Sequence, residues 1–316
     1  MYFYKNPSWI DQRLLKVNKI EDLPESIFYE INKNLGLIHS EDPVVSVVIP
    51  VHNEEVNIVR TIYSLSRNKT TFGTEIIVVN NNSTDRTAEV LKRMNVKAVL
   101  QTKPGCGPAR QMGQQHAKGK YILMADGDCF YPPQWIQKMT EALQKPGTPC
   151  IYGRYSFLGT EDKPRWQLFL YESFRDRIGD LRHIKRPCIN ALGMSMGYVK
   201  DLGLKVGFVD RKIRGEDGRM CFQLQQFGKI RQVKDRSVRV WTLPRTLDKE
   251  GGLLYSFMAR AAIELSRITH YFYPQKRHDV NKTENYTPST LKYFKKFTAL
   301  HKTSDRVEQS TTAGNK

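Results

Sequence analysis

The 316-residue chain lacks any apolar run long enough to cross a bilayer. Its best candidate, residues 44–51, is interrupted by Ser46 and falls far short of the roughly 18 to 20 residues that a span requires. The first fifteen residues mix aromatics with Lys5, Asp11 and Arg13 and hold no continuous apolar core, so no signal peptide is expected and the protein is read as cytoplasmic. Cysteine is scarce: Cys106, Cys129, Cys150, Cys188 and Cys221 are odd in number and contain no CxxC pair. Reduced core thiols fit that pattern better than a disulfide frame or a zinc site. No histidine stands in a metal-ligand spacing, so any metal is expected to take oxygen ligands. Neither a GxGxxG turn nor a GK[ST] turn follows the first apolar run, which argues against a Rossmann dehydrogenase and a P-loop enzyme.

Positive charge and core-forming residues are plentiful. Hydrophobic residues make up 40% and charged residues 26% of the chain, a balance that excludes disorder and fibres. The net charge is +18, and residues 151–245 carry much of it, with 20 basic side chains against 10 acidic ones. A basic surface suits nucleic acid, an anionic membrane face or a phosphorylated substrate, or is simply solvated. No nucleic-acid-binding motif accompanies the charge, so nucleic acid is not an expected partner.

Strand and helix patterns alternate along the first half. The β-branched run 44–49 ends at Pro50 and reads as a strand buried on both faces. Asn53 is placed to cap a helix carrying Ile58, Ile62 and Leu65, with Glu54 and Glu55 in its first turn. Further strands are expected at 75–79, 98–101 and 121–125, and helices at 83–94, 108–117 and 135–143. Beyond residue 150 the pattern loosens, with helices at 166–182, 216–227 and 253–269 and strands at 194–199 and 237–242. The polar stretch after Pro274 has no sustained period, and mobility is expected at least from Ser304. Such alternation implies an α/β fold with a mostly parallel central sheet and helices on both faces.

Ligands of an open parallel sheet bind beyond the carboxyl ends of its strands. There the sequence sets Pro50-Val51-His52-Asn53-Glu54, then Asn80-Asn81-Asn82-Ser83-Thr84-Asp85, then Asp126-Gly127-Asp128. Two carboxylates flanking a glycine can approach one point and leave room for a diphosphate, which fits Mg²⁺ or Mn²⁺. Together with Gly105 to Gly113 and the run 117–128, these segments resemble, in order, the motifs of glycosyltransferase family 2 with its GT-A fold. The resemblance continues more loosely through Gly215-Glu216-Asp217 to Thr242-Leu243-Pro244-Arg245.

The resemblance implies a nucleotide-sugar donor, a UDP- or GDP-sugar, bound by Pro50, His52, Glu54, Asn80, Asn82, Arg110, Asp126, Gly127 and Arg245. Asp126 and Asp128 would hold the Mg²⁺ or Mn²⁺. Asp217, with Glu216, matches the family's base, which takes the proton of the acceptor hydroxyl as that oxygen displaces the nucleoside diphosphate with inversion. Asn80 departs from the family's usual acidic residue. Other roles are open for several of these residues: Asn80 to Asn82 as a turn, Asp85 as a helix cap, Glu216-Asp217 as partners of a helix dipole, and Arg110 as a solvated helical arginine. Trp166, Phe169 and Tyr171 line either an acceptor groove or the core. No Gln-x-x-Arg-Trp motif of the processive members occurs.

The expected organisation is an N-terminal arm (1–43), a nucleotide-sugar-binding half (44–150), an acceptor-binding half with the base (151–245), a C-terminal helix (246–272) and a basic tail (273–316). The acceptor would be a glycan or a lipid-linked sugar, and the basic middle points to peripheral contact with an anionic membrane at its inner face. A non-catalytic nucleotide-sugar-binding or regulatory protein of the same fold is an alternative, as is a nucleotidyltransferase, although the latter calls for a glycine-rich loop where Pro50 to Glu54 has no glycine.

Overall fold

The β-branched run that begins at Val45 forms the central strand of the protein. The computed structural model describes residues 4–209 and 215–245. The helix expected at 253–269, the tail after it and the basic run of Arg211, Lys212 and Arg214 lie outside the described residues.

Two helices, α1 (Gln12–Leu15) and α2 (Glu25–Ile38), precede strand β1 (Val45–Val51). Helix α3 (Asn57–Ser66), β2 (Thr74–Asn80), α4 (Thr87–Leu91), β3 (Lys97–Leu100), α5 (Cys106–His116) and β4 (Tyr121–Met124) follow. Then come β5 (Cys129–Phe130), α6 (Trp135–Gln144), β6 (Cys150–Tyr152), β7 (Tyr155–Phe157) and α7 (Arg165–Lys185). The series ends with β8 (Met196–Val199), α8 (Lys200–Val206), α9 (Glu216–Leu224), β9 (Arg231–Gln232) and β10 (Val240–Thr242).

Seven strands join in the order β3-β2-β1-β4-β8-β6-β9, and β5-β10-β7 form a small second sheet. The β3-β2-β1-β4 block is parallel. Strand order reverses about β1, the kind of switch point at which an open α/β sheet leaves a crevice. β8 runs antiparallel to β4, pairing Met196 with Met124, so the chain just before β8 arrives at the carboxyl end of β4. Strands from beyond residue 149 therefore complete the same sheet, and residues up to Arg245 cluster as one compact unit.

β1 continues through Pro50 instead of stopping before it. Its pairing with β4 ends at Val48, while pairing with β2 runs on to Val51, so the missing proline N–H breaks no ladder bond. The arm before β1 packs into the main core, with Leu14, Ile20, Ile27 and Ile31 buried beside Ile58 and Ile62 of α3. Arg60 of α3, itself buried, fastens it by donating through Nε to the Leu14 carbonyl at 2.9 Å and through Nη2 to that of Val17.

Two helices start later than their patterns suggested. Asn53 does not cap α3, which begins four residues on without a side-chain cap. It takes a left-handed φ of 56°, which asparagine tolerates, and its Oδ1 accepts from the Thr84 amide at 2.8 Å. Asp85 in turn accepts from the Thr87 amide at 2.9 Å and from the Glu55 amide at 3.2 Å. The two loops spend their polar groups on each other, which shortens both helices. Beneath the sheet, buried Glu75 accepts from Ser46 Oγ and from the Lys118 amide, both at 2.6 Å, and so fixes the turn into β4. Glu75→Ala, which orphans both donors, is expected to cost about 3 kcal/mol in chemical denaturation, with the folded far-ultraviolet spectrum retained.

Candidate active site

The strand ends bring four segments to one crevice. β1 leads into Pro50 to Glu54, β2 into Asn80 to Asn82, and β4 into Asp126-Gly127-Asp128, while α9 opens on Glu216-Asp217 after Gly215, whose φ of 82° lets the chain turn into the helix. Arg110, in the second turn of α5, lies at their centre.

Arg110 is 3% exposed, which excludes the solvated-arginine reading. Its Nη1 donates to Glu216 Oε1 at 2.9 Å and pairs with Asp217 Oδ1, and its Nη2 donates to Asp126 Oδ1 at 3.2 Å. One guanidinium thus ties the strand-end carboxylate to the two carboxylates of α9. Gly193 makes room for it, because a Cβ there would fall 1.8 Å from Arg110 Nη2, and the Gly193 amide donates to Asp217 Oδ2 at 2.9 Å. Asp126 is steadied from below: its amide donates to the hydroxyl of buried Tyr131 at 2.8 Å, and that hydroxyl donates to the Met194 carbonyl at 3.0 Å.

The second cation is Arg245, whose Nη2 donates to Asp128 Oδ2 at 2.6 Å and lies 3.7 Å from Glu54 Oε1. Burial raises the pKa of Glu54, and the hydrogen bond from Asn57 and the Arg245 charge pull it back. Burial likewise pushes Asp126 up to about 6, opposed by Arg110 and reinforced by the Asp128 charge. Gly127 packs on β1, where a Cβ would meet Val51 Cγ1 at 2.5 Å.

On the β1/β2 side, Asn80 accepts from the Ser83 amide at 3.0 Å, which is the turn role open to it. Asn82 holds a left-handed φ of 53°. His52 Nδ1 donates to the Asn81 carbonyl at 2.8 Å, so its ring is held over the second loop. Asn81 was missed as a structural anchor. Its side chain donates to the Lys103 carbonyl at 2.8 Å and accepts from the Gly105 amide at 2.9 Å, which joins the β2 loop to the head of α5. Asn81 stands inside a triple asparagine that reads as a turn. Gly193 was missed as well, since its partners are 83 and 24 residues away and no local pattern marks it. Of the aromatics on α7, Tyr171 is buried while Trp166 is exposed.

Among the described residues, no group of three or more His, Cys, Asp or Glu side chains is preassembled to hold a metal. The donor set that fits a divalent cation is the all-oxygen pair Asp126 and Asp128, which suits Mg²⁺ or Mn²⁺ completed by substrate phosphates. Among the described residues, five carboxylates (Glu54, Asp126, Asp128, Glu216 and Asp217) face two guanidiniums, leaving a surplus of negative charge.

A Rossmann-like sheet with acidic groups gathered at its switch point defines a GT-A fold. The sequence profile of Glycosyl transferase family 2 matches residues 46–202, and the chain belongs to glycosyltransferase family 2. It is similar to a dolichol-phosphate mannosyltransferase of Pyrococcus furiosus, 32% identical over 175 residues, covering 52% of this chain and 50% of the relative. It is also similar to the glycosyltransferase AglE of Haloferax volcanii, 29% identical, covering 36% and 40% respectively. The chain thus spans half or less of the length of these relatives. A mannosyltransferase from Pyrobaculum calidifontis, solved in complex with GDP-Man and Mn²⁺, shares the fold with a TM-score of 0.51 at 16% identity, covering 73% of this chain and 67% of that one. Among the described residues, no helix is long and apolar enough to cross a membrane.

Replacing Arg110 with methionine keeps the bulk but strands Asp126, Glu216 and Asp217 with unpaired charge. A loss of about 3–5 kcal/mol is expected in chemical denaturation.

Proposed function

We propose that the protein transfers one hexose from a nucleoside-diphosphate sugar to an acceptor hydroxyl with inversion. The observation that carries this reading is the convergence of Asp126, Glu216 and Asp217 on Arg110 at the sheet's switch point, with Asp128 two residues from Asp126 and held by Arg245. A crevice with surplus negative charge repels a diphosphate unless a divalent cation lies between them, and Asp126 and Asp128 are the residues that would hold it. When bound, such a cation would offset the charge that builds on the departing diphosphate.

In this reading the loops after β1 and β2, with Pro50, His52, Glu54, Asn80 and Asn82, cradle the base and ribose. Gly127 lets the diphosphate approach the backbone, and Arg245 moves from Asp128 to a phosphate oxygen once the donor arrives. Asp217 accepts the proton of the acceptor hydroxyl while that oxygen attacks the anomeric carbon from the face opposite the leaving group. Its Oδ2 is aimed by the Gly193 amide. Arg110 serves as a positioning residue that keeps Asp217 aligned, with Glu216 sharing its charge. Residues 44–150 then serve the donor and 151–245 the acceptor, a glycan or a lipid-linked sugar.

Calorimetric titration with UDP, GDP, dTDP and CDP, each with and without Mn²⁺, tests the donor site. One nucleotide is expected to bind only with metal, and Asp128→Ala is expected to abolish that binding. The absence of metal-linked binding for all four would sink the proposal. Asp217→Asn is expected to retain nucleotide binding and lower kcat by about 10²–10⁴-fold. An unchanged kcat would remove Asp217 as the base.

A further inference from the structure

Helix α7 turns an unusual face outward. Trp166, Leu170, Leu181 and Ile184 are 54%, 59%, 37% and 69% exposed. At about 100° per residue these four positions, with exposed Arg177 between them, fall within about 60° of one another, so they form one stripe along a 21-residue helix. The stripe is thus two apolar pairs, one near each end of the helix, that no described residue covers.

The helix's charges are sorted by face. Its three carboxylates are all engaged by cations: Glu172 by Arg165 at 2.6 Å, Asp176 by Arg239 and Arg175, and Asp180 by Arg154 and by Lys234 at 2.7 Å. What faces outward is apolar and basic, with Arg177 inside the stripe and Lys185 at its end. Glu161 and Asp162 stand in the turn before the helix, so the basic end is the C-terminal one. A tryptophan and aliphatic residues on one strip, edged by long basic side chains that can reach headgroups, make the pattern of a helix lying in a membrane interface.

We infer that the outer face of α7 docks on an anionic bilayer surface, so that the acceptor is carried by a lipid headgroup at that surface. The acceptor part of this inference rests on the transferase reading of the Asp217 site. Connectivity links the surface to the chemistry: α7 runs into residues 187–192, where Ile189 and Leu192 are also exposed, and the next residue is Gly193, the amide donor to Asp217. Arg177 and Lys185, exposed on this face, supply attraction to anionic headgroups, each basic side chain near the surface contributing about 1 kcal/mol.

The test is co-sedimentation of the full-length protein with phosphatidylcholine vesicles, with and without about a third phosphatidylglycerol. The wild type is expected to bind the anionic vesicles at least about tenfold more tightly, and L181E/I184E to lose at least about tenfold of that affinity while keeping its circular dichroism and nucleotide binding. Brominated lipid is expected to quench part of the tryptophan fluorescence, and W166F to abolish that part. Equal binding to both vesicle types overturns the proposal, as does a folded L181E/I184E protein that binds like the wild type. A wild type that is dimeric in solution, turned monomeric by L181E/I184E and indifferent to vesicles, would assign the stripe to a second copy and overturn it as well. Metal-linked nucleotide binding measured without lipid separates this surface from the transferase reading: its absence in the wild type counts against the transferase, while vesicle binding still judges the surface.

Discussion

The site depends on a single buried guanidinium shared among three carboxylates. Asp126 comes from the end of β4, and Glu216 and Asp217 come from the start of α9, nearly a hundred residues later. Without Arg110 between them, these groups would repel one another in a crevice where water screens poorly. Its position at the head of α5 makes that helix the hub through which the end of β4 and the start of α9 are held together.

The sheet supplies the geometry that lets one side chain do this. The reversal of strand order about β1 opens the crevice, and the antiparallel β8 returns the chain to the carboxyl end of β4. Gly193 therefore arrives beside Arg110 and beside the carboxylate of Asp217, where a side chain of any size would displace the guanidinium. Around the rim, asparagines do what glycines do in nucleotide-binding turns of other folds. Asn53 and Asn82 adopt left-handed conformations, and the side chains of Asn53 and Asn81 bond the loops to each other, so the rim is cross-linked with few glycines.

Among the described residues the crevice gathers more carboxylates than guanidiniums, while the sequence of residues 151–245 as a whole is basic. α7 shows the same division at the scale of one helix, with its carboxylates paired and its outward strip apolar and basic.

Much of this was legible in the chain itself. Apolar runs, β-branched in β1 and β2, made β1, β2 and β4 visible because strands buried on both faces are mostly apolar. The polar clusters behind them marked the crevice because a parallel sheet exposes its strand ends on one side. The sequence by itself also placed Asp126 and Asp128 at the end of β4 and Asp217 at the start of a helix. It could not show where α3 begins, because Asn53 looks like a cap until the facing loop claims its oxygen, nor that Asp85 would divide its two oxygens between the first amide of α4 and the amide of Glu55. Nor could it show that Arg110 is buried among carboxylates, that Gly193 must lack a side chain, or that the exposed positions of α7 form one strip. Those facts are set by partners many residues apart, and only the packing of the sheet and its helices decided which of them would meet.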